Sequence, residues 1–347
     1  MNLAYILAFL FSLVISVAAM PFVIRLTERF GIIAKPDPRK VHQRYTPSAG
    51  GIGIYIGFAC SLALLYLFDV AHFRLLLSYP LMSYKVINPP PTIQTYLSGI
   101  LIGGAIIVGL GIIDDKKGVT ALTKLLAQII AAMVVLQYGI KIMGITNPFS
   151  GKYVSFPIIV TTMVTAFWII GFINSVNLVD GIDGLAAGIV AIASITFAVI
   201  TVYQIGIQSN TTITKGLKLV AILAAALAGS CMGFLRYNFY PAKIFMGDTG
   251  AMFLGFSLGC ITIIGILKTA AAIALFIPII IFGIPILDTL FAIIRRLLSR
   301  QPLMQADKGH FHHYLLAMGW NQRRTVIFMY IVSALLGVLA IILNMKQ

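Results

Sequence analysis

The sequence predicts an all-α polytopic membrane protein with about ten transmembrane helices. Two observations carry that prediction. Mean hydropathy is +1.00, and 60% of the 347 residues are hydrophobic while only 10% are charged, which excludes an ordinary soluble domain. The apolar residues also fall into ten runs, most of them near the ~20 residues that cross a bilayer core.

The first run, residues 3–24, has no basic segment before it. Its first charge, Arg25, comes after it, which predicts a retained helix ending on the cytoplasmic side rather than a cleaved signal peptide. A basic loop to Arg44 leads into the second run, 49–68. Residues 70–95, with Asn88-Pro89-Pro90-Pro91, are expected to form an external loop or extended stretch. The third run, 96–113, returns to Asp114 and Asp115, and the fourth, 121–138, leads out to residues 139–156. There Gly144, Asn147-Pro148 and Gly151 suit a small hairpin or surface loop. The fifth run, 157–175, comes back to an Asn- and Asp-rich turn. Runs at 185–205, 217–235, 250–267, 270–294 and 325–344 complete a single domain spanning residues 1–347. On this topology 17 of the 25 Lys and Arg lie on the cytoplasmic side, as the positive-inside rule requires. Nine of the ten carboxylates lie on or near that side, and only Asp69 lies outside.

The net charge of +15 points to anionic partners: membrane lipid headgroups or phosphates. No soluble basic module stands outside the apolar runs, so nucleic acid is not expected. Cys60, Cys231 and Cys260 lie in apolar stretches without metal-like spacing and are read as core residues. No internal repeat is evident, which weakens a transporter reading.

Five of the ten carboxylates sit at three glycine-marked places. Acids beside apolar runs are costly to keep and are functional candidates by default. Asp114-Asp115 reads as a solvated helix end or as a pair in which one acid holds a cation while the other takes a proton. In Asn174-Ser175-Val176-Asn177-Leu178-Val179-Asp180-Gly181-Ile182-Asp183-Gly184, the three-residue spacing of Asp180 and Asp183 would place both on one face of a helix. Asp183 as a helix cap is the other reading. Arg236 to Gly250 supplies cations, an aromatic ring and Asp248 between two glycines, either a helix cap, a metal ligand or both. No histidine or cysteine accompanies these five acids, which favours a hard ion such as Mg²⁺ over zinc. His310, His312 and His313, near Arg295 and Arg296, fit phosphate donors better than a zinc site, with a solvated loop as the alternative. The loop from Arg39 through Arg44 to Gly50-Gly51 reads as an anion cradle or a positive-inside flank. Asp288, inside the ninth run, is expected to pair within the bundle.

Taken jointly and in this order, D-D, N-x-x-N-x-x-D-G-x-D-G, F-M-G-D-T-G and H-x-H-H resemble the polyprenyl-phosphate N-acetylhexosamine-1-phosphate transferase superfamily, also known as glycosyltransferase family 4. The resemblance covers residues 39–313. It implies a bacterial cytoplasmic membrane enzyme whose cytoplasmic loops form the active site. It also implies transfer of a sugar 1-phosphate from a UDP-sugar to undecaprenyl phosphate, with release of UMP. Mg²⁺, or Mn²⁺ in its place, is the implied cofactor, and a homodimer is an open option. By resemblance Asp248 is the metal ligand, Asp114 positions or deprotonates the lipid phosphate, and Asp115 is its essential neighbour and a further metal ligand. Lys124 lies near phosphate, and Asn177 and Asp180 surround the diphosphate and nucleoside. Asp183, Asn238 and Phe245 contact uracil, while Arg296, His310, His312, His313 and Arg44 complete the substrate site. The loop reading His310-Phe311-His312-His313-Tyr314 resembles the branch that uses UDP-N-acetylglucosamine for teichoic acid or O-antigen synthesis. The branch using UDP-N-acetylmuramoyl-pentapeptide is the alternative.

Overall fold

The computed structural model describes residues 2–34, 45–80, 92–146, 152–266, 279–280, 283–298 and 311–345. Helix α1 (Asn2–Arg29) is followed by a two-residue pairing of β1 (Ile33–Ala34) with β2 (Thr46–Pro47). Then come α2 (Gly51–Leu67), α3 (Phe73–Leu77), α4 (Ile93–Lys117) and α5 (Ala121–Gln137). The hairpin expected within 139–156 is present as antiparallel β3 (Gly144–Thr146) and β4 (Tyr153–Ser155). Helices α6 (Ile158–Val179), α7 (Leu185–Ile207), α8 (Thr211–Asn238), α9 (Gly247–Ile266), α10 (Gly283–Leu298), α11 (Phe311–Ala317) and α12 (Gln322–Met345) complete the described elements.

Among the described residues, seven helices are long and apolar enough to cross a membrane, or eight if α2 and residues 70–77 form one bent span. This is an integral, all-α membrane protein. The remaining expected runs fall on α5, an apolar helix of 17 residues, and on a stretch of which α10 is the main described part.

Of the loop or extended stretch expected over 70–95, residues 81–91, with Asn88-Pro89-Pro90-Pro91, lie outside the described residues, and residues 70–77 are helical instead, the chain after α2 bending by 105°. The reason is local. Arg74 donates from its guanidinium to the carbonyl oxygens of Tyr66 (2.9 Å) and Leu67 (2.8 Å), at the end of α2 where carbonyls lack helical partners. Its N–H donates to Asp69 Oδ1 at 2.8 Å, and Phe73 and Leu77 are then buried.

Small residues explain the tight centre. The face of α8 against α1 carries Gly229 and Gly233, where an added Cβ would collide with the backbone oxygens of Phe9 and Leu13. Such small-residue spacing lets membrane helices approach closely, and Ser16 Oγ donates across the contact to Ser230 O at 3.0 Å. Helices α8 and α9 are almost wholly buried, whereas α1 and α12 present most of their apolar surface outward. Gly111 of α4 abuts Thr249 of α9 in the same way. That contact brings the end of α4 against the start of α9, which is where the acids meet.

Candidate active site

Asp114, Asp115, Asp180 and Asp248 gather at one end of the bundle, where α4 and α6 end and α5 and α9 begin. Helix α4 runs on through Lys117, so Asp114 and Asp115 occupy its final turns rather than a loop. Gly118, at φ 70°, stops the helix, and the Val119 N–H donates to Asp114 Oδ1 at 2.8 Å. That turn starts α5, capped by Thr120, and aims Lys124 back at the acids. The Lys124 ammonium forms an ion pair with Asp114 Oδ2 and another with Asp248 Oδ1 at 3.2 Å. Asn177 on α6 donates to the same Asp248 oxygen at 2.6 Å. A cation therefore already stands between Asp114 and Asp248, offsetting the repulsion between the two acids.

Asp115 has a separate task. Its Oδ1 accepts from the Asp248 N–H at 2.9 Å, while its Oδ2 accepts from the Thr249 N–H at 3.2 Å and the Thr249 hydroxyl at 2.6 Å. An aspartate from α4 thus caps α9 and meets the positive end of that helix. Gly247, at φ +69°, is required here, because a Cβ would land on the Asp115 carboxylate. With both oxygens committed to α9, Asp115 reads as the group that aims Asp248, rather than as the metal ligand expected from the resemblance.

The family model described as Glycosyl transferase family 4 matches residues 97–266. A probable undecaprenyl-phosphate N-acetylglucosaminyl 1-phosphate transferase of Bacillus subtilis (strain 168) is 35% identical over 344 residues, covering 98% of this chain and 85% of the relative. The chain belongs to glycosyl transferase family 4. A decaprenyl-phosphate N-acetylglucosaminephosphotransferase of Mycolicibacterium smegmatis is 32% identical over 318 residues, covering 88% of this chain and 74% of the relative. A phospho-N-acetylmuramoyl-pentapeptide-transferase of Desulforudis audaxviator is 30% identical over 366 residues, covering 96% and 95%.

Other residues of this family 4 chain depart from expectation. Asp180 and Asp183 share no helix face: α6 ends at Val179, and both acids lie in the turn before α7. Asp183 does not cap α7, whose capping position is Gly184. Its Oδ2 instead accepts from the Ala242 N–H at 3.0 Å, tying the turn to the segment before α9. The uracil contact expected of Asn238 is corrected by its burial and its bonds. It is 3% exposed; its Oδ1 accepts from the Gly184 N–H and its Nδ2 donates to Ile244 O, both at 2.9 Å. It joins two loops as an internal brace. Phe245 is half-buried, so part of it remains accessible. The anion cradle expected at Gly50-Gly51 is likewise corrected, because those N–H groups donate to Phe245 O at 2.9 Å and Met246 O at 3.1 Å. Arg44 and His310 lie outside the described residues. Arg296 is placed as backbone in α10, and His312 and His313 as backbone in α11. Asp288 is buried on α10.

Several contributors carried too little signal to be found in sequence. Thr249 completes the cap, and Tyr330 on α12 donates its hydroxyl to Gly184 O at 2.6 Å. Gln128 on α5 accepts from Asn174 Nδ2 at 3.0 Å. Each looks like an ordinary helix residue until its distant partner is known.

Asp180 is half-buried at the end of α6. Burial, then the charges of Asp248, Asp115 and Asp183, push its carboxyl up to about 8. So dense a set of acids is poised for an added cation. Asp248 fits that role: its side chain is 30% exposed, and the other acids around it, Asp114, Asp115 and Asp180, are hard oxygen donors. Among the described residues no three His, Cys, Asp or Glu form a ready cage for a metal.

Proposed function

We propose that this protein transfers N-acetylglucosamine 1-phosphate from UDP-N-acetylglucosamine to undecaprenyl phosphate, releasing UMP, at the cytoplasmic face of a bacterial membrane. The observation that carries the reading is the Lys124 ammonium held between Asp114 and Asp248 at the mouth of α9. Two anionic phosphates must meet for this reaction, and their repulsion is the main obstacle. The relatives named for N-acetylglucosamine transfer, at 35% and 32% identity, support this sugar over the muramoyl-pentapeptide.

The lipid phosphate is already ionised near neutral pH, so its oxygen attacks the sugar-bearing phosphorus directly. The new P–O bond forms as the bond to the UMP oxygen breaks, and UMP leaves with that electron pair. Asp114, fixed by Lys124 and the Val119 N–H, orients the attacking phosphate rather than acting as a strong base. Lys124 balances charge on the reacting phosphates. Asn177 and Asp115 hold Asp248 in place. Mg²⁺ bound at Asp248 would supply neutralisation of the diphosphate and of the departing UMP. Asp180 and Asp183 border the nucleotide, Phe245 stacks on uracil, and Arg296, His310, His312 and His313 grip the diphosphate and sugar.

Purified protein with Mg²⁺ and undecaprenyl phosphate, given a panel of UDP-sugars, tests the reading. UMP release from UDP-N-acetylglucosamine is expected. Activity only with UDP-N-acetylmuramoyl-pentapeptide would overturn the sugar. Substrate flux in proteoliposomes without UMP release would favour a transporter. A sugar-phosphate adduct trapped on Asp114 or Asp115 would replace direct displacement with a covalent route.

A further inference from the structure

Beneath the reacting acids lies a second polar layer that the mechanism above does not use. Lys124 and Gln128 are four residues apart on α5, Asn177 and Asn174 three apart on α6, and Asp248 and Met252 four apart on α9. Each pair therefore shares one face of its helix. In the upper layer Lys124 and Asn177 both reach Asp248 Oδ1. In the lower layer, one turn deeper, Asn174 Nδ2 donates to Gln128 Oε1 at 3.0 Å, and Gln128 Nε2 points to Met252 Sδ at 3.9 Å. Asn174 also donates to Ile170 O at 2.8 Å, which fixes its rotamer on α6. Gln128 is 2% exposed, and the other buried residues of α5 are Ala131, Ala132, Val135 and Leu136.

Gln128 is the one polar side chain among these buried residues of α5, and an amide pair holds only near one distance and angle. We propose that Gln128 and Asn174 are positioning residues: their amide pair fixes the register of α5 against α6, so that Lys124 and Asn177 reach the same oxygen of Asp248. The proposal rests on the transferase reading for its kinetic consequences, but its geometric consequence is independent of activity.

The test compares Gln128→Leu, Asn174→Leu, the double leucine variant and the swapped pair Gln128→Asn/Asn174→Gln, which keeps an amide on each helix. The leucine variants should lower kcat by about tenfold to a hundredfold, the scale of an ångström-sized misplacement. KM values for both substrates should stay within about twofold, and the double variant should be no worse than the singles, because all three lose one pair. The swapped pair should recover most of kcat. A second readout uses metal-free protein: acylation of Lys124, followed by peptide mass spectrometry with Lys116 and Lys117 as internal references. A Lys124 displaced from between Asp114 and Asp248 is more accessible to the reagent. Labelling should therefore quicken severalfold in the double variant and slow again in the swapped pair.

Wild-type kcat and labelling in a folded double variant would overturn the proposal. So would losses that multiply between the singles, since they would mark two unrelated roles. If the leucine variants aggregate, the swapped pair decides: near-wild-type kcat and labelling support the proposal, and a tenfold loss at an unchanged thermal midpoint contradicts it. A wild-type protein that releases no UMP would remove the transferase reading and leave the labelling result to judge the register.

Discussion

Replacing Asp115 by asparagine separates a carboxylate that caps a helix from one that binds metal. Asparagine keeps the shape and one accepting oxygen but puts an NH₂ where Oδ1 or Oδ2 now accepts. If the amide turns its oxygen to the Asp248 N–H, its NH₂ faces the Thr249 N–H and hydroxyl, which now donate to Oδ2 at 3.2 and 2.6 Å. A hydrogen bond to a charged group contributes about 1.5–3 kcal/mol net, and a charge at a helix N-terminus adds about 0.3–1 kcal/mol. Because Thr249 is fully buried, water offers little replacement, and a loss of about 2–4 kcal/mol is expected. Glutamate should not rescue, because Gly247 already lies against the carboxylate. The assay is thermal unfolding in detergent, paired with Mg²⁺ titration of UMP release. The thermal midpoint and kcat should fall, while the Mg²⁺ concentration for half-maximal activity should move less than about threefold. An unchanged midpoint with a tenfold or greater loss of Mg²⁺ affinity would refute the capping role and restore Asp115 as a ligand.

Three further outcomes follow from the same geometry. Asp180, pushed up to about 8 from 3.8, keeps its proton when folded through a range where the unfolded chain has lost it. The stability of metal-free protein should therefore fall as pH rises from about 4 to about 8. Melting curves across that range should show a flatter slope for Asp180→Asn, and an identical slope would contradict the assignment. Gly111→Ala should lower the thermal midpoint by the equivalent of about 1–3 kcal/mol, because its Cβ meets Thr249, although alanine is the better helix former. Gly109→Ala, with nothing within 4 Å, should be neutral or stabilising in the same melt. Tyr330→Phe removes the hydroxyl that donates to Gly184 and should raise KM for UDP-N-acetylglucosamine by about three- to tenfold, leaving KM for the lipid unchanged in steady-state kinetics.

The helices were legible because ten apolar runs could be marked between charged loops, and the one-sided acids foretold that Asp114, Asp115, Asp180 and Asp248 would gather. What stayed hidden depended on partners far away in the chain. Nothing local distinguishes Asp115 from Asp114, yet one caps a helix 133 residues on and the other pairs with Lys124. Gly50 and Gly51 looked like an anion cradle because glycine also serves close packing, and only the positions of Phe245 and Met246 separate the two uses. Asn238 was misread for a similar reason, since an asparagine that braces two loops has the same neighbours in sequence as one that reads a base. The bend after α2 was missed because Arg74 satisfies the helix end from seven or eight residues away.

Asp248 is proposed to anchor the metal and the diphosphate for transfer. Mg²⁺-dependent UMP release by Asp248→Asn, measured against wild type with UDP-N-acetylglucosamine and undecaprenyl phosphate, tests it most directly. A fall of at least about a hundredfold in a folded variant is predicted. Full Mg²⁺-dependent activity in that variant would show that Asp248 does not hold the metal.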